Sequence, residues 1–343
     1  MTVRRIEADG FRPAARVNLR IRGEAPVDVA DYAARGVSGL TRAFARLKPD
    51  VVVLLGDRYE ILAAAEAALF LGIPVAHLHG GEATEGANDE AMRHAVTKMA
   101  HLHFAAAEPY RRRIIQLGEQ PSRVFNVGAV GLESVARLEL LSRTELESAL
   151  GLPLVRPLLA VTYHPATLSD TSPLESVRRL FAALERFPEA TVVFTYANAD
   201  AYGQSINRAI DAFVRRRPAR AKAFASLGQL RYLSLLKHCD AVVGNSSSGV
   251  IEAPTLRAAT VNIGERQGGR LRAPSVIDCA DTPAAIAAAL RKALDPAWRR
   301  RALRGLSPYR APGSPSRRIA AVLRKADLGA LRVKRFHDLG GRR

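Results

Sequence analysis

Residues 54–98 read LLGDRYEILAAAEAALFLGIPVAHLHGGEATEGANDEAMRHAVTK, a segment that alternates short apolar runs with polar turns. The runs Val51–Leu55 and Pro74–Leu78 end in the motifs GDR and HGGE, and an alanine-rich stretch of helical character separates them. This alternation is typical of parallel strands connected by a helix. Because the carboxyl ends of parallel strands meet at one edge of a sheet, Asp57 and Glu82 are predicted to face one site. The glycine pair of HGGE would let the backbone approach a ligand closely.

The same alternation continues through the chain and predicts an α/β fold with two Rossmann-like domains. One glycine and two prolines in the motif GLPLVRP, near Leu150–Pro157, interrupt the periodicity and indicate a hinge. We therefore predict an amino-terminal domain over residues 1–150 and a carboxyl-terminal domain over residues 151–343. The further predicted strands are Leu102–Ala106, Arg123–Val127, Leu158–Thr162, Thr191–Thr195, Ala241–Gly244 and Thr260–Ile263.

The first 50 residues fit this scheme less well. Residues 6–23 predict a helix end and one polar strand, and Val27–Leu47 predicts an amphipathic helix that leads into the first apolar run. A doubly wound domain normally opens with a hydrophobic strand and a glycine turn, and no such pattern precedes Val51. The first domain is therefore expected to lack its opening strand. At the other end, Ala297–Lys334 predicts arginine-rich amphipathic helices broken by a loop at Pro308–Pro315.

Composition predicts a globular cytoplasmic protein. The 343 residues are 48% hydrophobic, enough to bury the cores of two domains. No apolar run approaches the roughly 18 residues that a membrane span needs, and the first residues, MTVRRIEADGF, lack the apolar core of a signal peptide. Cys239 and Cys279 are the only cysteines and neither belongs to a CxxC pair, so disulfides and structural zinc are not expected.

The net charge of +18 makes nucleic acid a partner to consider. The basic residues are mostly arginines spread along the chain in an alanine-rich background, and they do not form a sequence-local patch that would follow a phosphate backbone. We therefore expect neither a nucleic-acid partner nor a membrane partner.

Three carboxylates of the opening segment are candidates for acid and base chemistry. Asp57, Glu82 and Asp89 stand near strand ends or at a helix start, where partial burial can raise a carboxyl pKa toward neutrality. A simpler explanation stays open, because Asp57 and Asp89 could merely cap the helices that follow them. Likewise, Arg93 could be a surface partner of Asp89 or Glu90.

The second half of the chain offers a histidine and a serine-rich turn. His164 follows the strand Leu158–Thr162 in the motif YHP, where a lone histidine is more often structural than catalytic. Residues 244–249, GNSSSG, precede a helix whose free backbone N–H groups could bind phosphate, although the serines could also be only a cap. Glu252 is predicted in the first turn of that helix, within reach of a ribose diol, and Arg266 suits a diphosphate. The sequence has no DxD pair and no Walker lysine, so neither a metal nor a cofactor is predicted.

Seven motifs, taken together, resemble the hydrolysing UDP-N-acetylglucosamine 2-epimerases of sialic and related acid biosynthesis. They are GDRYE, HLHGGEATEGANDEAMRHAVTKMAHLHF, YHP, YANAD, GNSSSGVIEAP, VNIGERQGGR and VKRFHDL, in this order along the chain. The resemblance as a whole runs from about residue 6 to residue 339. The resemblance implies a glycosyltransferase-B-like fold of two Rossmann-like domains with a UDP-sugar substrate. It also implies a homodimer.

The resemblance further implies a role for ten residues. Four would be catalytic, three of them as acid or base carboxylates and the histidine near the diphosphate: Asp57, Glu82, Asp89 and His164. Six would bind the substrate, Arg58 on the sugar side and the others at or near the UDP: Arg58, Asn198, Ser246, Ser247, Glu252 and Arg266. Sequence alone does not assign base and acid among the carboxylates, since a coupled cluster shares its protons.

The implied reaction removes the C2 proton, eliminates UDP in the anti sense to form a glycal, and adds water with C2 inverted. Its products would be UDP and a free 2-acetamido sugar of manno configuration. The substrate would be UDP-N-acetylglucosamine or a UDP-2,4-diacetamido-trideoxy sugar. Since the C2 hydrogen is weakly acidic, the base must be matched in pKa and the departing UDP must be stabilised by cations or proton donation.

One departure from the family's pattern keeps two other functions open. Family members begin with a strand, a glycine turn carrying an arginine, and a helix, and this opening is not found before Val51. A first domain without that strand would have an exposed sheet edge. A non-catalytic UDP-sugar-binding remnant and a glycosyltransferase of similar fold are therefore the alternatives to an epimerase.

Overall fold

The computed structural model describes residues 2–20, 23, 25–85, 87–166, 171–197 and 202–340. No helix among these residues is long and apolar enough to cross a bilayer. Their strands are β1 (Val52–Leu55), β2 (Val75–Leu78), β3 (Leu102–Ala105), β4 (Val124–Asn126), β5 (Leu158–Thr162), β6 (Thr191–Thr195), β7 (Ala221–Phe224), β8 (Ala241–Gly244), β9 (Ala259–Ile263) and β10 (Val276–Cys279). Their helices are α1 (Thr2–Ala8), α2 (Pro26–Leu47), α3 (Tyr59–Phe70), α4 (Asp89–Met99), α5 (Glu108–Gln116), α6 (Gly131–Arg137), α7 (Arg143–Leu150), α8 (Pro173–Leu184), α9 (Gly203–Arg215), α10 (Gly228–His238), α11 (Ser247–Ile251), α12 (Pro283–Leu294), α13 (Pro296–Ala302), α14 (Pro315–Lys325) and α15 (Leu328–Leu331).

Internal contacts divide the chain into two compact units. The first unit comprises Met1–Glu82, Asn88–Val130 and Ala311–Arg343, and the second comprises Ala83–Ala87 and Gly131–Arg310. This division differs from the predicted one, 1–150 and 151–343, at residues 83–87, 131–150 and 311–343. The cause is packing: Leu146 and Leu150 of α7 lie in a core of the second unit, whereas Ile319 and Leu331 lie in a core of the first.

The first unit contains a four-stranded parallel sheet in the order β1-β2-β3-β4. Val52 and Val75 belong to the face that packs against α2, α3 and α4, largely through alanines that let the helices approach closely. The opposite face packs against Ile319 of α14 and Leu331 of α15. β1 lies at the edge of the sheet, and the two of its residues that face away from α3 are about half exposed.

The second unit contains a six-stranded parallel sheet in the order β10-β9-β8-β5-β6-β7. Helices α8, α9 and α12 cover one face, and α7 and α10 cover the other. The chain reverses direction across the sheet between β5 and β8, which are hydrogen-bonded neighbours. In open α/β sheets this switch point is where loops diverge and ligands bind. The loops that follow β5 and β8 carry His164 and the serine turn.

Most predicted strands are confirmed. β5, β6 and β8 begin and end at the predicted residues, and the other five agree to within one residue at each end. β7 and β10 were not predicted, because they are partly exposed edge strands that mix polar and apolar residues. The polar strand predicted within residues 6–23 is wrong. Among its described residues, α1 ends at Ala8, and Val17 and Leu19 lie against Gly39 and Gly36 of α2 instead of pairing with a strand.

The carboxyl-terminal segment of the first unit caps the end of α4. The Lys334 ammonium donates to the backbone oxygens of Lys98 and Ala100, at 2.6 Å each, and lies 2.8 Å from Oε2 of Glu119. Glu119 is 2% exposed and also accepts from Lys98 Nζ at 2.7 Å and from His103 Nε2 at 3.0 Å. A cation at the last carbonyls of a helix is favourable because the helix dipole is negative there. Through Lys334, the VKRFHDL motif holds the end of α4.

Candidate active site

Asp57 lies after β1 and directly follows Gly56, whose φ of 92° lies in the left-handed region that favours glycine. Its carboxylate forms a short contact with Nη2 of Arg93, a side chain that is almost fully buried. The N-cap residue of α3 is Arg58, so Asp57 does not cap that helix. The ion pair instead ties the turn after β1 to α4.

Arg93 connects the acidic residues of the first unit. Its Nη1 donates to Oε2 of Glu90 at 2.7 Å and to the backbone oxygen of Glu82 at 3.0 Å, while Nη2 contacts Asp57. A buried guanidinium needs such partners because desolvating an unpaired charge is costly. The suggestion that Arg93 is a surface partner is wrong, since the residue is only 1% exposed. In the sequence, the spacing of three residues between Glu90 and Arg93 indicates their pairing on a helix. It does not indicate the contacts of Arg93 with Asp57 and Glu82.

Glu82 is buried and pairs with His79. His79 Nδ1 lies 2.6 Å from Oε1 of Glu82, and the backbone N–H of Val130 donates to His79 Nε2 at 3.4 Å. A ring nitrogen that accepts an N–H carries no proton itself, so Nδ1 is protonated and donates to the carboxylate. The sequence motifs did not indicate His79 as a functional residue. Its position three residues before Glu82 was the only available signal.

The two glycines of HGGE approach atoms of the protein itself. A Cβ at Gly80 would lie 3.0 Å from His77 Nδ1 and 3.0 Å from Thr97 Oγ1. Gly81 has a φ of 72°, and a Cβ there would collide with the backbone oxygen of Tyr110. Packing within the first unit therefore requires glycine at position 81, and a side chain at position 80 would require His77 or Thr97 to shift. The close approach of this backbone to a ligand stays a prediction.

Asp89 and Arg58 lie near this network. Asp89 is the first residue of α4, partly exposed, and precedes Arg93 by one helical turn. Arg58 directs Nε toward Oε2 of Glu60, 3.2 Å away. The guanidinium of Arg93 thus binds the carboxylate of Asp57 and the backbone oxygen of Glu82, and Asp89 lies on the helix that carries Arg93. The catalytic roles of these residues stay predictions.

In the second unit, His164 follows β5 and is held by Asn245. The backbone N–H of His164 donates to Asn245 Oδ1 at 2.7 Å, and Asn245 Nδ2 donates to the His164 backbone oxygen at 2.8 Å. Both residues are buried. This reciprocal pair fixes the loop after β5 to the loop after β8. Asn245 was quoted only as part of the serine-rich motif, and its separate role had no sequence signal.

Arg266 reaches the same loop from the turn after β9. Its Nη1 donates to the Asn245 backbone oxygen at 3.2 Å, and Nε2 of Gln267 donates to that oxygen at 2.8 Å. Arg266 is buried and follows Gly264, whose φ is 66°. The predicted residues His164 and Arg266 are therefore linked through Asn245. Asn198, the other residue predicted near them, lies outside the described residues.

The serine turn begins α11, a helix of five residues. Ser246 is its N-cap, and Ser246 Oγ accepts from the backbone N–H of Ser248 at 3.4 Å, so the capping explanation is correct for this serine. Ser247 is the first helical residue. The prediction that Glu252 lies in the first turn is wrong, because α11 ends at Ile251 and Glu252 follows it.

Comparison with known proteins assigns the family. The UDP-N-acetylglucosamine 2-epimerase family model matches residues 4–324. A GDP/UDP-N,N'-diacetylbacillosamine 2-epimerase (hydrolyzing) of Campylobacter jejuni is 39% identical over 278 residues, which are 81% of this chain and 72% of that protein. A UDP-N,N'-diacetylbacillosamine 2-epimerase (hydrolyzing) of Legionella pneumophila is 34% identical over 297 residues, covering 86% and 77%.

A solved structure supports the fold. The UDP-GlcNAc 2-epimerase of Neisseria meningitidis, crystallised with UDP-GlcNAc, superposes with a TM-score of 0.77 at 15% sequence identity, covering 93% of this chain and 88% of that one. The chain belongs to the UDP-N-acetylglucosamine 2-epimerase family. The glycosyltransferase-B-like fold and the assignment to an enzyme of the UDP-sugar 2-epimerase class, both predicted from the motifs, are confirmed.

Proposed function

We propose that the protein is a hydrolysing 2-epimerase that converts a UDP-linked 2-acetamido sugar into UDP and the free sugar with C2 inverted. The observation that carries this proposal is the buried network in which Arg93 binds both the Asp57 carboxylate and the Glu82 backbone, with His79 on the Glu82 carboxylate. Removing a weakly acidic C–H requires a positioned base, and adding water to the intermediate requires a positioned acid. A carboxylate held by Arg93 and a second carboxylate held by His79, on a backbone that Arg93 also holds, are candidates for these two groups.

In the proposed first step, a carboxylate takes the C2 proton while the bond from C1 to the UDP oxygen breaks in the anti sense. UDP leaves with that electron pair, and C1 and C2 become a double bond. In the second step, water bonds to C1 through its oxygen and gives one proton to a carboxylate, while a carboxyl group delivers a proton to C2 on the face opposite to the one that lost it. Asp57, Glu82 and Asp89 are the proposed groups.

We assign the diphosphate to the second unit. Its buried Arg266 supplies a permanent positive charge, and Ser246 and Ser247 begin a helix in the loop after β8. His164, Glu252 and Asn198 complete the proposed UDP contacts, and Arg58 is proposed on the sugar side. Cationic stabilisation of the leaving group favours the elimination because charge develops on the UDP oxygen as the bond breaks.

The names of the two bacillosamine relatives favour a UDP-2,4-diacetamido-trideoxy sugar over UDP-N-acetylglucosamine as the substrate. The reaction would then supply a manno-configured diacetamido sugar to nonulosonic acid biosynthesis. We further propose that the protein acts in the cytoplasm as a homodimer.

The test is incubation with each of the two UDP-sugars in D2O, followed by NMR. We expect release of UDP and a free manno sugar that carries deuterium at C2, because the proton added to the glycal comes from solvent. Retention of the gluco configuration without deuterium would overturn the proposal. UDP binding without release of UDP would instead support a non-catalytic binding protein, and transfer of the sugar to an acceptor would support a glycosyltransferase.

A further inference from the structure

His77 lies in β2 between the turn after β1 and helix α4, and its side chain is completely buried. Its Nε2 is 2.8 Å from the backbone oxygen of Gly56, the residue before Asp57. Its Nδ1 is 3.3 Å from the hydroxyl oxygen of Thr97 on α4. The His77 imidazole therefore connects the turn that carries Asp57 to helix α4, which carries Arg93, the partner of Asp57.

The hydrogen bonds determine the tautomer of this imidazole. A carbonyl oxygen can only accept, so Nε2 must carry the proton that bonds to Gly56. Nδ1 is then the acceptor, and the Thr97 hydroxyl donates to it. Burial lowers the pKa of His77 to about 3, and the electrostatic interactions with His103 and Arg93 act in the same direction. The bond to Gly56 and the charge of Asp57 oppose this shift without cancelling it. The ring is thus neutral near pH 7.

Two links run in parallel from the turn to α4. Arg93 and Thr97 are four residues apart, so they lie on the same face of the helix. Arg93 holds the side chain of Asp57, and Thr97 holds the backbone of Gly56 through His77. Glycine gives this turn no conformational preference of its own, so external bonds must set its geometry.

Gly80 closes the space around this bridge. The distances of 3.0 Å from a Cβ at position 80 to His77 Nδ1 and to Thr97 Oγ1 mean that a larger residue would require one of these side chains to shift. Because His77 is completely buried, we expect it to act through the placement of other groups.

We propose that His77 is a positioning residue that, as its neutral Nε2–H tautomer, fixes the Gly56-Asp57 turn onto α4 and so places the Asp57 carboxylate for proton transfer. This inference rests on the proposed function for the role of Asp57. The bridge itself rests only on contacts within the first unit.

The experiment compares two replacements of the imidazole in the full chain. The amide nitrogen of H77Q extends about as far as Nε2 and can donate to Gly56, whereas that of H77N corresponds to Nδ1 and cannot. Because a misplacement of about 1 Å can cost about a hundredfold in rate, we expect H77N to lower kcat between tenfold and a hundredfold, as an order of magnitude. KM should change by less than about threefold, since uniform substrate binding is retained. H77Q should recover most of the lost kcat.

His238 provides a matched control in the second unit. Its Nε2 also bonds a backbone oxygen, that of Leu141, at 2.8 Å. H238N should therefore alter stability without changing kcat. If H77Q and H77N lose kcat equally, or if both keep the wild-type value, the proposal is overturned.

A second measurement does not depend on catalysis. NMR of the 15N-histidine-labelled protein should show His77 as the Nε2–H tautomer, unchanged between about pH 5.5 and 8.5. Hydrogen exchange at the Asp57 amide should accelerate in H77N but not in H77Q. An Nδ1–H tautomer, or equal exchange in the two variants, would contradict the bridge. If the wild-type protein releases no UDP while these two results hold, the proposed function fails and the bridge stands.

Discussion

Arg93 and Asp57 are 36 residues apart in the chain, and their side chains form an ion pair in which the guanidinium is buried. The pair connects the turn after β1 to a helix that begins after β2. Because Arg93 also bonds Glu90 and the backbone of Glu82, its removal would affect three acceptors together.

We expect R93M to destabilise the protein by about 3 kcal/mol, because it leaves Asp57 and Glu90 without their buried cation. R93K keeps the charge but cannot bond three acceptors in the fixed geometry of a guanidinium. R93K should therefore lose less stability than R93M while losing kcat at least about a hundredfold. Chemical denaturation and UDP release would measure the two effects. Equal kcat in R93K and the wild type would contradict the assignment of Arg93 to the catalytic network.

The collision at Gly81 predicts a large loss of stability in G81A. Gly81 and Gly72 both have positive φ, at 72° and 64°, but a Cβ at Gly72 would meet nothing within 4 Å. G72A should therefore show only the backbone term of about 1 kcal/mol, whereas G81A should cost about 3 kcal/mol or more. The difference between the unfolding free energies of G81A and G72A, measured by urea denaturation, gives the cost of the collision. A difference near zero would show that the helix containing Tyr110 moves away without cost.

Asn245 should affect UDP binding through its hold on His164. N245A removes both bonds to the His164 backbone, and each such bond contributes about 1 kcal/mol. We expect N245A to raise the Kd for UDP by about tenfold, since the loop after β5 is no longer fixed. N245D keeps an acceptor for the His164 N–H but lacks the donor, so its Kd should lie between those of N245A and the wild type. Calorimetry with UDP measures both values. An unchanged Kd in N245A would separate this loop from the UDP site.

The Glu119 cluster predicts a loss of stability in acid. Burial acts to raise the pKa of Glu119, but hydrogen bonds from His103, Lys334 and Lys98 outweigh it and lower the pKa to about 2, from 4.5. A carboxyl group whose folded pKa is lowered stabilises the fold above its unfolded pKa, and this stabilisation is lost as pH falls from about 4.5 toward 2. E119Q should lower the free energy of unfolding by about 2 kcal/mol at pH 7. Below pH 4.5 its stability should depend less on pH than that of the wild type. Denaturation midpoints between pH 2 and pH 7 test this, and parallel curves for E119Q and the wild type would contradict it.

Strand positions and the shared sheet edge were predictable because burial of parallel strands gives continuous apolar runs, as in Leu158–Thr162. The contact of Arg93 with Asp57 could not be predicted, because it depends on the rotation of α4 about its axis. The sequence indicates only pairs of charges that are close along the chain, such as Arg93 and Glu90. The edge strand Ala221–Phe224 was not predicted because it is only partly buried and Lys222 interrupts its short apolar run. The assignment of residues 311–343 to the first unit could not be predicted from the sequence either. An amphipathic helix does not indicate which distant sheet its apolar face will cover.

The return of residues 311–343 to the first unit has a consequence for synthesis on the ribosome. The second unit has its full set of residues once Arg310 has left the exit tunnel. One face of the first sheet, by contrast, must wait for Ile319 and Leu331, and the end of α4 must wait for Lys334. Domains generally fold as units during synthesis. The unit that bears Asp57 and Glu82 is therefore begun before the second unit and completed after it.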